Sequence, residues 1–508
     1  MPPVRYSRRS FLETAASGLV ALGALPPILA RDPYAPWRST PRQVPNAGPV
    51  RVRGIVRAQG RGIAGVALSD GLRVAQTGGD GRFELVTEMD REFLSLSLPA
   101  GYTLPTSATG TARLHRPITA DSRGEMSAAF DLAPLPDGRS DRRHACLLLA
   151  DVQTQDADEM RWFHEQAVPD VRATAVQLGR ETFGIACGDI MFDNLQFYPE
   201  YERGVKAMGV PFFQVVGNHD LDFDGRTDEA STATFARHFG PGHYSFERGE
   251  VHYVVLDDVF WHGTGYFGYL DAHQLTWLAA DLARIERGRT VIVALHIPVL
   301  GTQHLREGER RAGASNTVNN REALYRLLEP YKAHILSGHM HEHEHLFEQG
   351  THELVSGTVC GAWWSGPICG DGTPNGYTVL EVDGANVTWR YKCTGQPVEH
   401  QMRVYRRGAD PQAPTEIVAN VWDWDPEWTV TWYESGERRG AMARRVGHDP
   451  LSIELHTGPT LPPRRPWVDP YPTGHLFYAP VAADARGLRI EARDRFGRTY
   501  TADVPATG

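Results

Sequence analysis

Phe212-Phe213-Gln214-Val215-Val216-Gly217-Asn218-His219-Asp220 is an apolar run that stops at a glycine and three side chains able to hold a metal or move a proton. The apolar part reads as a buried strand, and the polar tail lies just past its C-terminal end. Working outward, the same design recurs four times. Residues 146–150 lead into Asp151-Val152-Gln153, and residues 185–187 into Gly188-Asp189. Residues 291–295 lead into His296, and residues 333–336 into Gly338-His339-Met340-His341. Five such strand ends converge on one edge of a sheet, where open α/β folds bind their ligands. Asp, Asn, Gln and His together supply the mixed oxygen and nitrogen donors of a divalent-metal site. A dinuclear hydrolase is the leading reading. A lone Asp or His at a strand end usually caps a turn, so the weight lies in the set and its order.

In that order the motifs resemble those of the calcineurin-like metallophosphoesterases, D-x-H, G-D, G-N-H-D/E, H and G-H-x-H. One letter departs, with Gln153 where His is commonest. The resemblance covers residues 143–395. His243-Tyr244-Ser245-Phe246, Val254-Val255-Leu256-Asp257-Asp258, Gly361-Ala362-Trp363-Trp364 and Asp371-Gly372-Thr373-Pro374-Asn375-Gly376-Tyr377 are similar to an exported branch with β domains on both sides. The resemblance implies a four-layer α/β/β/α sandwich core flanked by two β-sandwich domains. It also implies two divalent or trivalent metal ions, with Fe, Mn or Zn suited to the imidazoles. Asp189 would bridge the ions, with Asp151, Gln153 and His341 completing one set and Asn218, His296 and His339 the other. An amide oxygen is a weaker donor than imidazole, so Gln153 implies looser binding on its side. The resemblance makes His219, which fits neither set, the group that stabilises the transition state and protonates the leaving oxygen. Asp193 either orients His219 or caps the following helix. By resemblance alone, Trp363, Trp364, Asp371 and Asn375 form a wall of the pocket. Arg306 lies in the loop 301–320 and could bind an anionic group, although Glu307 and Glu309 offset its charge. His343 and His345 continue the alternation of His341 and are read as exposed or supporting groups.

Residues 1–30 bear on where the chemistry happens. Ser7-Arg8-Arg9-Ser10-Phe11-Leu12-Glu13 precedes a mild apolar stretch at 14–29, interrupted by Pro26 and Pro27. A twin-arginine pair before such a stretch reads as a Tat export signal, which implies the Tat machinery as a partner and a periplasmic destination. No other segment is long and apolar enough to span a bilayer. With 52 basic against 62 acidic residues the chain carries a net charge of −10, which argues against broad nucleic-acid binding. Five cysteines are too few for a disulfide scaffold. Cys146 and Cys187 read as packed thiols, whereas Cys360 and Cys369 could pair across a loop.

A Pro-rich linker at 31–48 precedes short alternating runs that read as a β-sandwich over 49–136. Strands and helices alternate through 137–396, with helices expected at 271–287 and 319–331. Alternation returns over 400–508, a second β-sandwich in which Trp422, Trp424, Trp428 and Trp432 are expected to pack a core rather than stack sugars. The resemblance implies a small phosphorylated substrate or an envelope phospho-compound, and the sequence does not separate a monoester from a diester. The competing class is an exported, non-catalytic glycan- or envelope-binding protein that keeps the fold. The full donor set with His219 favours the enzyme.

Overall fold

The alternation inside each apolar run sets the layers. Every residue of the strand Arg143–Leu149 after Arg143 is buried, with Cys146 and Leu148 on one face and Leu147 and Leu149 on the other. A strand apolar on both faces has to lie between two layers. In the computed structural model, which describes residues 48–505, this strand is the centre of a five-stranded sheet. The order is Phe212–Val215, Glu181–Cys187, Arg143–Leu149, Gly376–Asp383, Asn386–Cys393. The first three strands run parallel and the last two are antiparallel additions. A six-stranded sheet runs Tyr244–Arg248, Val251–Val255, Thr290–Ala294, Lys332–Ser337, Thr351–Val355, Glu344–Glu348. Its middle is parallel, and an antiparallel strand closes each end.

The two sheets face each other across Cys146, Leu148, Ile185, Val215, Phe246, Tyr253, Ile292 and Leu336. The outer face of the first carries Leu147 and Leu149 against Phe163, Val171, Tyr201 and Val205 of its helices. The outer face of the second carries Val291 and Val293 against Trp277, Leu278, Leu324 and Leu328. The core is therefore a four-layer α/β/β/α sandwich, and each fully buried aliphatic side chain contributes roughly 1.5–3 kcal/mol to it. The two expected helices are shorter than read, Ala272–Leu282 and Arg321–Leu328. Their C-terminal ends tighten into i→i+3 turns, Ile285 N to Leu282 O and Tyr331 N to Leu328 O.

Two pairs of four-stranded sheets flank the core, one within residues 50–132 and one within 403–503. Trp422 and Trp428 are buried, and Trp424 and Trp432 pack against the C-terminal core. The N-terminal domain meets one edge of both core sheets. Ala112 N donates to Phe212 O, and Glu247 N donates to Leu98 O, each at 2.8 Å. The C-terminal domain meets the opposite edges: Asp423 accepts from Tyr391 N, Gln401 Nε2 donates to Tyr391 O, and Arg495 lies over the Phe347 ring.

All five cysteines are free thiols. Instead of pairing, Cys360 and Cys369 both contact the Thr358 hydroxyl, at 3.7 and 3.6 Å. Among the described residues no helix is long and apolar enough to cross a membrane. The export signal read at 1–30 and residues 31–47 of the linker lie outside the described residues.

Candidate metal centre

At the strand ends the backbone turns hard. Asp151, Gln153, Asp189, Asp193, His339, His341, Trp363 and Trp364 all have φ between 44° and 68°. Each such left-handed residue costs about 1–2 kcal/mol relative to the right-handed region. Strain of this kind persists where surrounding structure over-determines the site. The motif glycines are there because neighbours occupy the space of a side chain. A Cβ on Gly188 would lie 2.3 Å from His296 Nδ1, one on Gly217 1.9 Å from Asp189 N, and one on Gly338 2.4 Å from Asp151 Oδ2.

These turns bring the seven expected donors together, all nearly inaccessible to solvent. Asp189 stands between two groups: Oδ2 accepts from Gln153 Nε2 at 2.9 Å, and Oδ1 lies 3.2 Å from His296 Nε2. Asn218 Oδ1 and His339 Nδ1 approach the same His296 Nε2, at 3.1 and 3.2 Å. On the other side Asp151 accepts from His339 N at 2.9 Å and lies 3.6 Å from His341 Nε2. The ring tautomers test whether a cation fits. His296 Nδ1 donates to Cys187 O at 2.9 Å and His341 Nδ1 to Gly361 O at 2.5 Å. Each imidazole therefore turns Nε2 inward, the arrangement of metal-ligating histidines. Around His296 Nε2 stand a carboxylate oxygen, an amide oxygen and another ring nitrogen, a set of electron pairs that a cation satisfies. Donor atoms of Asp189, His296 and His339 all lie within 4.8 Å of one another. Burial pushes the Asp151 carboxyl up to about 8, so this pocket favours a compensating positive charge.

His219 stands beside the cluster. Its Nδ1 donates to Asp193 Oδ1 at 2.6 Å and its ring stacks on Phe192, centroids 4.5 Å apart. Burial works against its charged form, but Asp189 and Asp193 outweigh it and raise the group to about 9. Two supports went unread in the sequence. Asp220 accepts from the backbone N–H groups of Ile190, Met191 and Gly217, tying two loops together, and burial raises it to about 7. Asp258 does the same for His296 N and Ile297 N. Only Asp220's place in the Gly217–Asp220 cluster and Asp258's place in a motif hinted at either role.

With this geometry in view, the comparisons with known proteins decide the family. The calcineurin-like phosphoesterase profile matches residues 146–343. The profiles for its N-terminal and C-terminal regions match residues 50–135 and 353–500. The chain belongs to the calcineurin-like phosphoesterases. It is a dinuclear, metal-dependent phosphoester hydrolase. No curated protein matches the sequence. Solved structures are alike only distantly. A dimetal phosphatase from Danio rerio is 15% identical, with 49% of this chain and 95% of that one covered and a TM-score of 0.35. A purple acid phosphatase from yellow lupin seeds is 15% identical over 68% and 67% of the two chains, TM-score 0.35. A 5'-nucleotidase from Candida albicans is 12% identical over 49% and 50%, TM-score 0.30.

The remaining expected site residues of this phosphoesterase have varied placements. Trp363 stacks on the His341 ring at 3.9 Å, and Trp364 Nε1 donates to Val152 O at 3.0 Å. Both tryptophans thus pack against residues of the centre and are buried. Asn375 Nδ2 donates to Gly366 O, holding the loop that carries them. Asp371 accepts from His343 N, Thr373 N and His475 Nε2, so its carboxylate is engaged by the protein. Arg306 is likewise engaged, by Glu342, Glu344, Thr302 and Pro472 O, and does not reach the metal cluster through these bonds. His343 and His345, read as exposed or supporting, are buried against Asp423.

Proposed function

We propose that this phosphoesterase hydrolyses a small phosphate monoester or diester, free or part of an envelope compound, in the periplasm after twin-arginine export. The observation that carries the chemistry is Asp189, with one oxygen towards Gln153 and the other towards His296. In this reading Asp151, Gln153, Asp189 and His341 hold one ion, and Asp189, Asn218, His296 and His339 the other. Two ions of Fe, Mn or Zn bound there supply Lewis acidity to the phosphoryl oxygens and lower the pKa of water. His219 keeps Nε2 for the reacting group, because Asp193 holds Nδ1. It delivers a proton to the departing oxygen, and Asp193 stabilises the imidazolium that does so. A pure binding protein has no use for this second, non-ligating pair.

Elemental analysis of reconstituted protein, with turnover assays on aryl phosphate monoesters and diesters, tests the reading. About two metal equivalents and turnover of either ester are expected; absence of bound metal overturns it. The location is tested separately. Replacing Arg8 and Arg9 by Lys should retain the precursor in the cytoplasm, and undiminished export would sink the twin-arginine reading.

A further inference from the structure

The segment carrying His339 and His341 runs on past the metal centre, and the next four residues share two partners in alternation. Glu342 and Glu344 bind Arg306, which also donates to Pro472 O of the C-terminal domain. His343 Nε2 and His345 Nε2 each lie 2.9 Å from Asp423 Oδ1, also in that domain. All three are buried, and their donor atoms are close enough together for a metal ion. The ring tautomers argue otherwise. Gly357 N donates to His343 Nδ1 at 3.0 Å. His343 therefore carries its proton on Nε2 and has no lone pair there for a metal. His345 Nδ1 faces His352 Nε2, and His352 Nδ1 faces His334 Nδ1, each at 3.0 Å. One proton per ring satisfies every contact if all the donors point along this chain towards Asp423. The carboxylate thus accepts two imidazole N–H bonds as an anchor, and its other oxygen accepts from Tyr391 N at 3.3 Å.

We propose that Asp423 is a positioning residue for the metal centre. By fixing His343 and His345 it sets the path of the chain at His341, two residues upstream. The same domain grips His341 from a second direction. Trp467 packs on Trp363, centroids 5.0 Å apart, with Val468 and Tyr471 in the same apolar cluster, and Trp363 stacks on the His341 ring. His339 is held differently, by the Asp151 carboxylate and by packing on His296. The ion on the Asp151–Gln153–His341 side therefore depends on the C-terminal domain more than its neighbour does. This inference rests on the metal assignment proposed above.

The test uses the full chain with Asp423→Asn, titrated with Co(II) in chelator competition and followed by its visible absorption bands. One Co(II) affinity should fall about 10–100-fold, the usual effect of losing a group that orients a ligand, with altered bands, while the other is kept. Asp425→Asn is the control, because Asp425 is a buried carboxylate of the same domain bound to Arg495, at 2.6 and 3.1 Å. It should lower the melting temperature of the metal-free protein without selective loss of one Co(II) ion. Should Asp423→Asn not fold, His345→Ala, which removes one of the two bonds, is read the same way. Two wild-type affinities with unchanged bands, or equal losses in the Asp423 and Asp425 variants, would overturn the positioning role. A wild-type chain that binds no Co(II) would overturn the metal assignment, and this role with it.

Discussion

Five of the seven donors proposed for the metals, Asp151, Gln153, Asp189, His339 and His341, occupy left-handed backbone that a glycine would adopt more cheaply. The side chain is retained at that cost, which fits a role in chemistry better than one in stability. His219 pays no such cost, and it separates proton transfer from metal binding. His219→Ala should keep its metals and lose about 10²–10⁴-fold in turnover of alkyl esters, with a smaller loss on a nitrophenyl ester whose leaving oxygen needs little protonation. His339→Ala should lose metal and turnover together. Metal analysis beside kinetics on both esters distinguishes the two, and metal loss in His219→Ala would place His219 among the ligands. These residues were legible because they cluster just past the ends of five strands. Asp220 and Asp258 were not, since they hold backbone N–H groups at other strand ends, Ile190 and Met191 for the first and His296 and Ile297 for the second, which spacing cannot reveal. Arg306 looked available for a ligand because Glu342 and Glu344 lie far from it along the chain.

Between elements, the strand Val251–Val255 and the helix Ala272–Leu282 are joined by a buried ion pair. His252 Nε2 donates to Asp281 Oδ2 at 2.9 Å, while Nδ1 meets Glu247 Oε1 at 2.8 Å. Burial opposes the charge on His252, but bonds to Asp281 and Glu247 raise it from 6.5 to about 9. Burial likewise acts against the charge on Asp281, but His252 and Arg284 lower it from 3.8 to about 2. The raised imidazole stabilises the fold fully below pH 6.5, and that contribution is lost as pH rises through 9. The depressed carboxyl contributes above pH 3.8 and is lost as pH falls through 2. Both act in full between these limits. There, His252→Ala should cost about 3–5 kcal/mol, the scale for stranding one partner of a buried pair. Urea unfolding of both proteins at pH 6 and pH 9.5 checks this, with a narrower gap expected at the higher pH. A gap independent of pH would mean that packing, not charge, holds the contact. Element types were readable from periodicity, but lengths were not. Both helices end in turns governed by local hydrogen bonds, and the segment Phe163–Ala167 is a π-helical turn just before Pro169, which lacks a backbone donor.

On the scale of the whole molecule the two β domains occupy opposite rims of the catalytic double sheet. The N-terminal domain bonds to Phe212 and Glu247, and the C-terminal domain bonds to Tyr391 and sends Arg498 to Trp389 O. Strand edges with unpaired backbone groups invite pairing between molecules. A fragment limited to 137–396 should therefore self-associate where the full chain does not, and light scattering during size-exclusion chromatography would show it. A monodisperse, monomeric fragment would contradict the view of the flanking domains as rim covers. Alternating apolar runs made each β domain legible as a sandwich. Which rim each would cover was not, because that rests on contacts such as Leu98 with Glu247 and Asp423 with Tyr391, between segments far apart in the chain.

The register of the first sheet also governs when the enzyme can become one. Arg143–Leu149 takes its antiparallel neighbour from Gly376–Asp383, with Leu148 opposite Thr378. Asp151 meets His339 across 188 residues of chain, and His343 meets its anchor Asp423 across another 80. Contacts this distant in sequence form late and slowly, because the long intervening loop must close before they repay its entropy. A nascent chain can thus expose Asp151, Gln153, Asp189 and Asn218 well before any histidine past 296 is available to join them. The proposed donor set is complete only once the chain has been made as far as His341 and that segment has folded back onto the earlier strand ends.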